Sequence, residues 1–233
     1  MARWILAGFV ALGSTCEARV APADAGDRRG DVPVLVELFT SEGCSSCPPA
    51  DAVLARLEEK QPVPGALVIP LAHHVDYWDS LGWPDPFASA KASARQRSYG
   101  GNYTPQAIVD GADEMVGSKG AALERAIAEA AKRPHVKVTI TTNAPGDVLV
   151  TAPAIAGSEV TVALVQARAR VAVPRGENAG RTLDHSAIVR ETKTGPRATF
   201  VPPNGVAPSD LRIVAFVQDV KSRRVLGSTM TKW

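Results

Sequence analysis

Apolar and polar positions change rhythm several times along the chain. Val34-Leu35-Val36-Glu37-Leu38-Phe39 is apolar on both faces of a strand except at Glu37, the pattern of a buried strand. Over residues 52–60 the spacing becomes helical, with Val53, Leu54 and Leu57 on one face. Pro48 and Pro49 suit the first turn of that helix, whose amides have no intrahelical partner to lose. After the loop QPVPG (61–65), residues 66–72 form a second buried strand. Pro86 opens a helix to about Tyr99 with Asp85 as its N-cap. Residues 106–109 make a short strand, and Asp110-Gly111 turns it into a hairpin partner at 114–117. Ser118 caps a helix to Lys132, with Leu123, Ile127 and Ala130 on one side. The predicted order is β-α-β-α-β-β-α. A helical crossover implies a parallel strand pair, and the hairpin adds an antiparallel edge.

From Val136 onward the pattern is different. VKVTITT, DVLVTA, EVTVALVQA, HSAIVRE, RATFV, LRIVAFVQD and RVLGSTM alternate or run apolar over short spans broken by Gly, Pro, Asn and Asp. This is an all-β reading, a sandwich-like domain of seven or eight strands over 135–233, with the boundary at Lys132-Arg133-Pro134.

The N-terminus reads as an export signal. Arg3 supplies a positive start and WILAGFVAL (4–12) a nine-residue apolar run, well short of the roughly 20 residues that span a membrane. Ala21-Pro22-Ala23 offers a cleavage site, giving a signal peptide over 1–23, a linker over 24–32 and a secreted or periplasmic mature protein without a membrane span. Lipidation at Cys16 is a rival, but Gly13-Ser14-Thr15 is a poor lipidation sequence.

Composition narrows the partners. With 45% hydrophobic and 21% charged residues the chain is of ordinary globular composition, and a net charge of +2 without a long basic block excludes nucleic acid as the expected partner.

Cleavage after Ala23 removes Cys16 and leaves Cys44 and Cys47 as the whole cysteine complement. In an oxidising compartment they form a disulfide unless something reduces it. As a staple it is weak: closing a four-residue loop is worth roughly 2 kcal/mol, against about 4.7 for a hundred-residue loop. The pair sits where a strand feeds a helix N-terminus, whose dipole and free N–H groups favour a thiolate. Ser45 and Ser46 add hydroxyls but no charge, and Glu42 opposes ionisation, so a mildly acidic thiol is expected. Staple, metal clamp and redox pair all remain open at this point.

The element order with C-x-x-C at the first strand-to-helix junction resembles the thioredoxin fold. VELFTSEGCSSCPPAD, HHVDYWDSLGWPDPFA, YTPQAIVDG, GENAGRTLDH and IVAFVQD, taken together over residues 33–233, are similar to a bacterial family of secreted thioredoxin-like proteins of unknown function. That resemblance implies a cis Thr104-Pro105 peptide facing the disulfide. It also implies Cys44 as the accessible nucleophile and Cys47 as the resolving thiol. Glu37 becomes the buried acid serving Cys47, although it lies seven residues before Cys44, one more than the usual spacing.

Six of the twelve aromatic residues fall between Tyr77 and Tyr103. Tyr77, Trp78, Trp83 and Tyr103 therefore form either a substrate-facing wall or a small core of their own. His73 and His74 support a rival in which Cys44, Cys47 and one imidazole hold copper or another soft metal. Only one of the two adjacent histidines can aim at the cysteines from a strand. His135 and His185 read as surface or structural residues. The leading expectation is a thiol–disulfide oxidoreductase-like protein exchanging with a protein thiol or disulfide, with no cofactor beyond its own disulfide. A non-catalytic binding protein with a structural disulfide is the third reading.

Overall fold

The computed structural model describes Met1 and residues 30–233, so the export signal, Cys16 and most of the linker lie outside the described residues. The chain first forms β1 (Val32–Thr40), α1 (Pro48–Lys60), β2 (Ala66–His74), α2 (Ala90–Ser98), β3 (Gln106–Val109), β4 (Asp113–Val116) and α3 (Gly120–Ala130). It continues with β5 (Thr139–Ala144), β6 (Asp147–Thr151), β7 (Ser158–Val173), β8 (Arg181–Thr194), β9 (Arg197–Thr199), β10 (Leu211–Asp219) and β11 (Val225–Lys232).

Among the described residues this is a mixed α/β fold with one large mixed sheet and a second, smaller one. The large sheet runs β11-β10-β7-β8-β2-β1-β3-β4 and the small one β5-β6-β9. β1 and β2 are parallel, with Leu38 opposite Ala72 and Thr40 opposite His74, while β3 is antiparallel to β1. The proline pair occupies the first turn of α1, where it costs no hydrogen bond.

Alternation along β1 decides which side chains meet which helix. Leu38 faces α1, since a Cβ on Gly117 would touch both Leu38 and Ala50. Glu37 therefore faces the other way, toward α2, where Arg95 and Tyr99 bond to it.

Three sequence expectations change. The second strand extends through His73 and His74, which thus lie inside the sheet rather than after it. Asp85 does not cap α2: Ser89 does, accepting from the Ala92 amide, and the helix starts at Ala90. Residues 135–233 supply seven strands, but β7, β8, β10 and β11 continue the sheet begun by β1 and β2. β8 meets β2 in parallel at Ala72–Ile188 and covers an edge that β2 would otherwise expose. Sandwich-like packing survives locally, where Val148, Val150 and Phe200 of the small sheet and its flank pack on Val162, Leu164 and Ile213.

Candidate functional site

Cys44 and Cys47 form a disulfide with their Cα atoms 5.4 Å apart, and Cys47 is the residue from which α1 departs. Both cysteines are 0% exposed, while Ser45 and Ser46 between them face solvent. The expected accessible Cys44 is therefore covered in this state. The cover is the β7–β8 connection, residues 174–180. The Asn178 side-chain amide, itself buried, donates to the carbonyls of Glu42 at 2.8 Å and Cys44 at 3.0 Å. Glu177 accepts from the Ser45 amide at 3.0 Å and hydroxyl at 2.7 Å. Gly176 has φ +78, and a Cβ there would lie 3.2 Å from the Trp83 Cβ, so glycine lets this connection settle onto the 79–85 segment.

Flanking the cysteine loop is a cluster of ionisable side chains. Asp51, in the first turn of α1, is buried, as are Glu42, His74, Asp85 and His185. Glu42 accepts from the Trp83 indole at 2.7 Å and lies 3.0 Å from His185 Nε2. Asp85 lies 2.6 Å from His74 Nδ1 and accepts the Glu42 amide at 2.8 Å. The two imidazoles meet edge to face at 4.9 Å, and His74 Nε2 and His185 Nδ1 have no hydrogen-bond partner. Burial alone would push the His74 pKa down, but the Asp85 carboxylate outweighs it and the net direction is up. Burial would raise Asp85, yet His74 holds it below the usual range. At Asp51 burial wins: its pKa is raised despite the nearby His185 and His74.

Glu37 serves a different place. Its carboxylate bonds Arg95 through Nε and, at 2.8 Å, Nη2, together with the Tyr99 hydroxyl at 2.6 Å and His73 Nε2 at 2.9 Å. Burial would raise its pKa, but the Arg95 guanidinium and His73 hold it well below the carboxylate range. Burial also depresses the His73 pKa. The extra residue between Glu37 and Cys44 puts this acid on the α2 face, away from α1. The buried acid on the α1 side is Asp51, four residues after Cys47.

The Thr104–Pro105 peptide is cis. Trp78 links this loop to the cysteine loop: its indole donates to Thr104 Oγ1 at 2.9 Å, and its Cβ lies 3.0 Å from where a Gly43 side chain would begin. Trp78 also packs on the Phe39, Val75 and Ile108 core, and Trp83 is tied to Glu42. Of the four aromatic candidates, only Tyr77 and Tyr103 are openly exposed, at 39% and 36%. Burial and Glu114 push the Tyr103 pKa up to about 12. His73 and His74 point to opposite faces, and among the described residues no three His, Cys, Asp or Glu side chains converge as metal ligands.

The sequence reading missed Asn178, Glu177, His185 and Asp51. The first three fall in or beside GENAGRTLDH, a motif already noted, but nothing local shows that it folds over the cysteines. His135, read as a surface or structural residue, pairs with Asp110 at 2.8 Å.

This arrangement spans the whole stretch matched by the profile of a family described as a protein of unknown function (DUF1223), residues 35–218. The chain belongs to that family. No curated protein matches. Among solved structures, protein AGR_C_4864 from Agrobacterium tumefaciens is similar, with 28% identity, TM-score 0.66, and coverage of 86% of this chain and 94% of that one. A domain of the outer membrane lipoprotein Omp28 from Porphyromonas gingivalis matches 42% of this chain and 85% of its own at 16% identity, with a TM-score of 0.24.

Proposed function

We propose that the protein is an extracytoplasmic thiol–disulfide oxidoreductase-like protein, built on a thioredoxin-like unit over 33–134 and gated by the β7–β8 connection. The observation that carries this is the buried acid–base cluster that flanks the cysteine loop through Glu42 and Asp51. A pair that served only as a staple gains nothing from five buried ionisable side chains, each costly to desolvate. A group that must exchange protons during bond exchange does.

A partner thiolate attacks Cys44 Sγ once residues 174–180 swing aside; the Cys44–Cys47 bond breaks and Cys47 leaves as a thiolate. Asp51 sits one helical turn beyond Cys47, where side chains four apart are neighbours at about 5–6 Å between Cβ atoms. Burial raises its pKa, which suits it to give a proton to the leaving Cys47 thiolate and to take one back when Cys47 re-forms a bond to sulfur. The partner's second thiolate then attacks the partner sulfur of the mixed disulfide and releases Cys44 as a thiolate, so two electrons pass from the partner dithiol to this disulfide. In the opposite direction the Cys44 thiolate attacks a partner disulfide and Cys47 resolves the adduct. The partner is a protein thiol or disulfide, with Tyr77 and Tyr103 offering exposed aromatic contact.

Trapping tests the reading. Cys47→Ser should accumulate a covalent adduct with a disulfide-bonded model protein through Cys44, and Cys44→Ser should not. Equal trapping by both variants, or none by either, returns the pair to a structural role.

A further inference from the structure

On the α2 face, away from the cysteines, a groove of about 670 Å³ runs between α2, the outer ends of β7 and β8, and the β10–β11 turn. Lys91, Arg95, Lys193, Arg197 and Arg223 line it, with Glu159 as its one acidic residue and four Ser or Thr hydroxyls between them. Glu37 pairs with Arg95, Glu191 with Lys193 and Glu159 with Arg223, which leaves a local excess of two positive charges, on Lys91 and Arg197, among the five lining cations.

Two of these cations are fixed in place. Arg95 is clamped from below by Glu37, and its guanidinium lies 5.3 Å from the Tyr99 ring centroid. Arg223 stands 5.5 Å from the same ring. Two guanidiniums sharing one ring repel each other unless each charge is balanced. Glu37 balances Arg95, but the Arg223 partner is Glu159 at a loose 3.5 Å, and Arg223 Nε is buried without a hydrogen-bond partner. Arg223 is also one of the few non-glycine residues with positive φ, +63. Its carbonyl accepts from Gln218 and its amide donates to Asp219, so this backbone holds it at the groove.

We infer that this groove is a binding site for a small ligand carrying two or more carboxylate or phosphate groups. The Arg95 fork is engaged by Glu37 and Tyr99, and the Lys193 ammonium by Thr199 and Glu191. The guanidiniums of Arg197 and Arg223 would therefore grip such oxygens, Lys91 would add a point charge, and the hydroxyls would complete the hydrogen bonding. The volume suits a small molecule. With Ala94 as its one apolar side chain, the lining favours an oxygen-rich ligand over an aromatic one. Nothing in this inference depends on the disulfide chemistry.

Isothermal titration of the full chain with citrate and, separately, pyrophosphate tests it. One-to-one binding that weakens with added salt is expected for at least one of the two. Citrate alone identifies a carboxylate site, pyrophosphate alone a phosphate site, and both a site that reads charge spacing. Arg223→Gln should weaken binding tenfold or more, and so should the double variant Lys91→Gln/Arg197→Gln, which alters only exposed residues and so leaves the test open if Arg223→Gln misfolds. Arg224→Gln, an exposed neighbour outside the groove, should leave affinity within about twofold. No saturable binding of either anion, or equal losses in the groove variants and Arg224→Gln, overturns the proposal.

Discussion

The Asn178 side-chain amide donates to the Cys44 carbonyl across 134 positions of sequence. The same side chain bonds the Glu42 carbonyl, so one residue from the far half of the chain fastens both the start of the cysteine loop and the first cysteine. Glu177 repeats the contact on the solvent side through Ser45. Access to the disulfide and the position of the 174–180 connection are thus one structural variable.

Asn178→Ala should loosen that cover. Removing a buried donor that serves two carbonyls costs about 1–3 kcal/mol, read as a lower urea midpoint with an unchanged slope. The disulfide should also be reduced faster by dithiothreitol, followed by thiol labelling under native conditions. Unchanged reduction kinetics in a destabilised variant would mean that the cover does not gate the cysteines.

Glu37→Gln should be among the most damaging single substitutions outside the cysteine loop. It leaves the Arg95 guanidinium buried without its carboxylate, a loss of about 3–5 kcal/mol at neutral pH. Because the folded Glu37 pKa lies below its unfolded value near 4.5, its contribution is fully present above that pH and is lost as pH falls through and below it. Chemical denaturation at pH 7 and pH 3 should show the gap between wild type and variant narrowing in acid.

Sequence periodicity reached α1, α3 and the first three strands because each buries apolar residues in the core, whereas α2 buries Ala92, Ser93 and Gln96 and carries no apolar face to mark its start. It could not reach the β8–β2 pairing, a contact at Ala72–Ile188 that no local pattern encodes. Glu37 shows the other limit. Its oddness in an apolar strand was plain, but a one-residue change of spacing reverses the face of a strand and moved it from the cysteines to Arg95. His185 and Asn178 carry no signal in isolation. They acquire meaning only when the 174–180 connection is seen lying across Cys44.

Asp51→Asn should alter pH dependence more than stability at acid pH. The folded pKa of Asp51 is raised by burial, so its favourable contribution is present below the unfolded value near 3.8 and is lost as pH rises through the folded one. The variant carries no such penalty and should gain on the wild type as pH rises from 3.8 through the folded value. His74 has a raised pKa to which Asp51 contributes, so its own decline above about pH 6.5 is smaller in the variant and adds to that gain. A stability difference constant across that range would mean that Asp51 does not titrate there.

The Cys44–Cys47 couple should have an intermediate potential, between roughly −150 and −270 mV. Cys44 Sγ lies 3.3 Å from the Ser46 hydroxyl, and Cys47 stands at the start of α1, so a thiolate gains hydrogen bonding and the helix terminus. Strong oxidants near −120 mV need a heavily stabilised reduced form. Here no Lys or Arg side chain is seen bonding residues 44–47 among the described residues, and the charged group that touches the loop is the Glu177 carboxylate, which opposes a second negative charge. The same cover holds the oxidised form in place and so draws the potential away from the oxidising extreme. Equilibration against glutathione and dithiothreitol buffers measures the value, with Asn178→Ala expected to lie closer to −150 mV than the wild type. A wild-type potential below about −300 mV, the range of structural disulfides, would remove the redox assignment and leave the pair as a staple.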